Sequence, residues 1–152
     1  MRATVKHMST NTREISATPT AVWKVPADGW LYPLWVVGAS RVREVDDHWP
    51  VVGSRLYHSV GSWPLLVDDE TEVLQCRPEE LLQVQAKAWP GGEAGVTISL
   101  EPVGTDRTRV TIEEDATSGP GRLVPKPLRD LPLAWRNTET LRRLAFIAER
   151  RH

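Results

Sequence analysis

Three stretches of this chain place an apolar residue at every second position, and then the period changes. Leu82, Val84, Ala86 and Ala88 form the first, Val96, Ile98 and Leu100 the second, and Val110 and Ile112 the third, interleaved with polar residues such as Thr97, Ser99, Arg109 and Thr111. Successive side chains of a strand point to opposite sides of a sheet, so each run specifies a strand with one wet side and one buried side. Over residues 130–151 the spacing becomes helical: Ala134, Asn137, Leu141, Leu144, Ala145 and Ala148 share a stripe, and Arg136, Glu139, Arg143 and Arg150 lie opposite. One-sided strands followed by a one-sided helix bury both apolar surfaces at once when the helix lies on the sheet.

The remaining segments fit around that pairing. Gly104-Thr105-Asp106 separates the second and third runs as a hairpin turn. Residues 4–15, rich in Thr, Val and Ile, predict a first strand. Thr18 followed by Pro19 predicts a capped helix start, because proline's missing N–H is one that a first helical turn leaves unpaired anyway. Asp28 is placed to cap a second brief turn through Trp30, Leu31 and Tyr32, with Pro33 ending it. Residues 36–47, 55–63 and 65–76 are less regular strands, which makes seven. Trp49-Pro50, Trp63-Pro64 and Trp89-Pro90 each predict a strand end with its aromatic held on the sheet. Residues 118–132, with four prolines and two glycines, read as a loop into the last helix. This is the α+β order of one curved antiparallel sheet wrapped on a long C-terminal helix. A bent sheet rarely closes completely on a helix, and the space left over is a natural pocket for an apolar ligand.

Size and charge narrow the partners. The chain of 152 residues is read as one domain spanning 1–152, and 19 Lys and Arg against 20 Asp and Glu exclude a generally basic nucleic-acid binder. No apolar run is long enough to insert stably in a membrane, the first residues lack the apolar core of a secretory signal, and Cys76 is the one cysteine. A cytoplasmic protein is the expectation. Asp46-Asp47-His48 and Asp68-Asp69-Glu70-Thr71-Glu72 lack metal-ligand spacing and read as solvated turn charges. No phosphate loop, dinucleotide fingerprint or Gly-x-Ser-x-Gly is present, so neither metal nor cofactor is expected. Arg136, Arg142, Arg143, Arg150 and Arg151 give the last helix a basic face whose default is solvation.

Eight side chains are candidates for a ligand site. Glu114 continues the alternation of Val110 and Ile112, which aims a carboxylate at the apolar side if the register holds, where its pKa would rise and acid or base work becomes available. His58 alternates with Leu56 and Val60 and would be a proton shuttle near neutral pH, or simply a hydrogen-bonded core residue. A one-residue slip would put Tyr57 inward instead. Asn137 is the polar member of the helix stripe that contains Leu141; a buried amide without a partner costs about 1–3 kcal/mol, so it requires a strand residue, a water or a ligand. Among the seven tryptophans, Trp23 and Trp35 read as core, and Trp30, Trp63 and Trp89 as cavity or rim.

Ile15-Ser16-Ala17-Thr18-Pro19-Thr20-Ala21-Val22-Trp23, Trp35-Val36-Val37-Gly38, Trp49-Pro50-Val51-Val52-Gly53-Ser54, the strand Val110-Thr111-Ile112-Glu113-Glu114 and the closing helix occur in an order that resembles the SRPBCC superfamily, the START-like or helix-grip proteins. That superfamily includes polyketide cyclases, pollen-allergen-like carriers and lipid-transfer domains. The resemblance implies a helix-grip fold with a hydrophobic cavity between sheet and helix, and it transfers no catalytic residue. Three functions follow as expectations: binding of a small hydrophobic molecule such as a polyketide, lipid or aromatic metabolite; a cyclase or aromatase acting in the same cavity; and a pocketless interaction module with a filled interior and an exposed apolar patch.

Overall fold

The structure, a computed structural model, describes residues 9–37, 39–60, 67–86, 93–118 and 126–150. Strand β1 (Ser9–Ile15) leads into helix α1 (Pro19–Trp23), a 3-10 turn (Gly29–Leu31) and helix α2 (Tyr32–Trp35). Six strands follow: β2 (Ala39–Val45), β3 (Arg55–Val60), β4 (Val67–Arg77), β5 (Leu81–Ala86), β6 (Glu93–Pro102) and β7 (Thr108–Ser118); helix α3 (Lys126–Arg150) closes the chain. The seven strands form one antiparallel sheet in the order β1-β7-β6-β5-β4-β3-β2. The short helices therefore carry the chain from one edge of the sheet to the other, and every later strand pairs with its predecessor until β7 meets β1.

Register puts the alternating residues on a common side. Leu82 faces Ile98, which faces Ile112, and Val84 faces Val96, which faces Glu114. The aliphatic members, together with Ile15, Val73, Leu100 and Val110, share one core cluster with Leu141, Leu144, Ala145 and Ala148 of α3, the apolar stripe read from the sequence. The strands that looked irregular are bulged. Pairing of β2 with β3 shifts twice, and β4 shifts against β5 between Val73 and Gln75, so that Leu74 and Gln75 both lie outward and Cys76 returns to the core side.

The local signals around α1 act as expected. The Thr18 hydroxyl accepts from the Ala21 N–H at 3.1 Å with Pro19 in the first turn, and Asp28 Oδ1 accepts from the Trp30 N–H at 3.1 Å. Four expectations need correction. Pro33 does not stop the chain's helical course, because it occupies the first turn of α2, where proline is tolerated. Val36 and Val37 are consequently not strand, and β2 begins at Ala39. The loop read over residues 118–132 does not hold at either end, since β7 runs to Ser118 and α3 starts at Lys126; Pro127 sits in the first turn, and Pro132 removes only one bond from a 25-residue helix. Trp49-Pro50 lies in the connection between β2 and β3 and not at a strand end. The Trp63-Pro64 and Trp89-Pro90 pairs lie outside the described residues.

Candidate functional site

Sheet and α3 do not fill the space between them. A cavity of about 250 Å³ remains, floored by Leu82, Val84, Ala86, Val96, Ile98 and Ile112, walled by Tyr32, Trp35 and Val36 from the α2 region, and roofed by Arg136, Asn137 and Thr140 of α3. Trp49 completes the wall. Its indole N–H donates to the Pro26 carbonyl at 3.0 Å, which ties the β2–β3 connection to the loop after α1.

Two polar groups of residues enter this apolar chamber from opposite sides. The first is built on β3 and β4, where His58 pairs directly across from Asp69. His58 Nε2 lies 2.9 Å from the Thr71 hydroxyl and 3.7 Å from Asp69 Oδ2, and the Tyr32 ring sits 4.9 Å from the imidazole, centroid to centroid. All three β-strand residues are at most 4% exposed. Burial lowers the His58 pKa from its ordinary value, against the opposing pull of the Asp69 carboxylate and the Ser59 backbone, so the ring is neutral at pH 7. Burial likewise pushes the Tyr32 phenol up to about 12, partly offset by its hydrogen bond with Thr71, so it stays protonated. The second group is Glu114 of β7, 4% exposed, which accepts a hydrogen bond from the Arg136 guanidinium of α3. Asn137 follows on the same helix, 3% exposed, and its Nδ2 has no partner among the described residues.

Of the residues singled out from the sequence, His58, Glu114 and Asn137 line this cavity together. Tyr57 points to the other side of β3, beside Arg55, so the register favours His58 inward. Leu141 is packed in the core and is not part of the cavity wall, and Trp30 is 59% exposed and outside it. Trp63 and Trp89 lie outside the described residues. Trp35, read as core, is in the core cluster and also lines the cavity; Tyr32, Trp49, Asp69 and Arg136 belong to the lining without having been singled out as site candidates. Asp69 carried a signal, since it alternates with Thr71 and Val73 and so shares their buried side; its acidic neighbours masked it. Arg136 was assigned to the solvated face of the helix, yet it flanks Asn137 closely enough for its long side chain to bend toward Glu114. Among the described residues no three His, Cys, Asp or Glu side chains group as a metal site, and no helix is long and apolar enough to cross a membrane.

A curved seven-stranded sheet gripping a long C-terminal helix around a cavity is the helix-grip architecture. Residues 6–149 match the model of the polyketide cyclase/dehydrase and lipid transport family, and the chain belongs to that family. No curated protein matches the sequence significantly. Solved structures similar to it include a conserved protein from Geobacillus kaustophilus (TM-score 0.73, 15% identity, 95% of this chain and 97% of that one). The Zhui aromatase/cyclase from a Streptomyces species is similar at TM-score 0.71 and 18% identity, covering 95% of this chain and 94% of that one. The di-domain ARO/CYC BexL is similar at TM-score 0.71 and 14% identity, covering 93% of this chain and 46% of that one. At these identities the likeness is one of fold.

Proposed function

We propose that this protein binds a small, largely apolar molecule in the cavity between the sheet and α3. The observation that carries the reading is the chamber itself: about 250 Å³ floored by aliphatic side chains of three adjacent strands. An apolar cavity of about 150 Å³ accommodates benzene, so this one suits a body of one to two fused rings. Apolar surface leaving water at about 25 cal/mol per Å² supplies the affinity. Native mass spectrometry of the purified protein after titration with naphthalene-sized probes is the test, with Ala86→Trp as a plug. A one-to-one complex that the plug abolishes is expected; binding undiminished in the plugged variant would place the ligand elsewhere. The pocketless module presupposed a filled interior, which the cavity does not favour.

A second reading is supported by the ionisable groups that meet in the same chamber. Neutral His58 beside Asp69 is a base, and the protonated Tyr32 phenol a hydrogen-bond donor, which are the parts needed to enolise a carbonyl substrate. Hydrogen–deuterium exchange alpha to the carbonyl of a bound ketone, followed by NMR, separates enzyme from carrier. General-base catalysis predicts protein-dependent exchange that falls about 100-fold or more in His58→Gln. Exchange at the buffer rate with bound ketone would leave the carrier alone.

A further inference from the structure

The cavity is apolar by area, but two of the three polar atoms it leaves without partners among the described residues can only donate. Trp35 is 3% exposed and lines the chamber, and its Nε1–H, which can only donate, has no hydrogen-bond partner among the described residues. Asn137, equally buried, lines the same chamber from α3, and its Nδ2, also donor-only, has none either. His58 Nδ1, from the sheet, is the third, and with Nε2 facing Thr71 and Asp69 it is the ring's acceptor, the atom the base reading uses. The neighbouring polar atoms are all engaged: Thr140 Oγ1 accepts from the Val37 N–H at 3.2 Å, and Arg136 donates to Glu114. A tryptophan that served only as packing would be replaceable by phenylalanine, and an asparagine in an apolar stripe by leucine, each removing a buried, unsatisfied donor that weakens the fold. Donors held in this state on two elements by residues that line one cavity are complementary to an acceptor that arrives with the ligand.

We infer that the ligand is a neutral molecule whose apolar ring body carries a carbonyl-type acceptor oxygen, received by Trp35 Nε1–H and Asn137 Nδ2–H. This rests on the cavity-binding reading above and adds the ligand's chemical class. A carboxylate would also accept, but Asp69 and Glu114 both line the chamber, and among the described residues the one lining guanidinium, that of Arg136, already faces Glu114. An anion therefore meets two carboxyl groups and, among the described residues, gains no uncommitted cation. An aliphatic hydrocarbon would leave both donors unsatisfied. Trp35 and Asn137 are thus specificity-determining residues, placed on the helical side of the chamber, with the aliphatic floor taking the ring body.

Matched probes test this by isothermal titration calorimetry. α-Tetralone and tetralin share one bicyclic skeleton and differ by a carbonyl in place of a methylene; α-naphthoate supplies the anionic acceptor. The protein is expected to bind α-tetralone and tetralin, and α-naphthoate more weakly than the ketone. Trp35→Phe and Asn137→Leu are each expected to weaken α-tetralone by roughly 3- to 10-fold relative to tetralin, the worth of one hydrogen bond. Using the ratio of the two probes cancels any change in cavity shape. Both variants are also expected to melt a few degrees higher than the wild type without ligand, which residues with a structural hydrogen bond would not do. Equal ratios in wild type and variants, or tighter binding of α-naphthoate than of the ketone, overturn the inference and leave the cavity-binding reading standing. Failure of every probe to bind wild type overturns both.

Discussion

His58 shows how one buried titratable side chain couples the site to stability. Burial holds its folded pKa below the unfolded value, so between the two the unfolded chain binds a proton that the native state refuses. Stability is unaffected well above pH 6.5 and falls as the pH drops through about 6.5 toward the lower folded value. Melting temperatures measured from pH 7.5 to 5.5 are expected to decline below about pH 6.5, and His58→Gln to flatten that decline. A wild-type profile that instead rises on acidification would mean the Asp69 carboxylate outweighs burial. The same residue marks how far the alternation of Leu56, His58 and Val60 can be trusted. It indicated a shared side but not which side, and pairing with Asp69 and Thr71 decided it. Glu114 is similar: its parity with Ile112 was readable, and its partner Arg136, 22 residues away on another element, was not.

The short elements before β2 are specified by single residues, and their loss is correspondingly measurable. Thr18→Ala removes the cap on the Ala21 N–H and should cost about 1 kcal/mol in urea unfolding, while Thr18→Ser retains most of it. Gly29 opens the 3-10 turn where it presses on the sheet: a Cβ there would stand 2.7 Å from Val45 Cγ1 and 3.0 Å from Leu56 Cδ1. Gly29→Ala is expected to cost about 1–3 kcal/mol by overpacking, and an unchanged unfolding midpoint would show that the turn yields freely. The caps at Thr18 and Asp28 were legible because they are local. The start of α3 and the survival of helix past Pro33 were not, because proline breaks a helix or begins one according to its distance from the helix start, and neighbouring packing sets that start.

As a whole the protein is a sheet and a helix that share most of an interface and leave part of it open, so its stability is linked to whatever fills the gap. A ligand present at 100 times its Kd adds about 2.7 kcal/mol, which at this chain length corresponds to roughly 5–10 °C in Tm. Protein stripped of apolar molecules by hydrophobic resin is expected to melt lower than freshly purified protein carrying a ligand, and addition of α-tetralone to raise the stripped protein's Tm in wild type but not in Ala86→Trp. A response equal in both would detach the stabilisation from the cavity.

The alternation of β5, β6 and β7, the stripe of α3 and the caps around α1 follow from periodicities of two and 3.6 and from bonds between residues a few positions apart. Those are properties of a short segment, so the seven strands, the closing helix and the shared parity of His58 with Leu56 and of Glu114 with Ile112 could be read from the chain directly. The chamber's contents could not. Tyr32 and Trp35 reach His58 and Asn137 only because β1 and β2 lie at opposite edges of one sheet, and the bulges in β2 and β4 shift the parity of every residue beyond them. Which side chains meet around an unfilled volume depends on distances between elements that no local pattern encodes, and only the packed chain sets those distances.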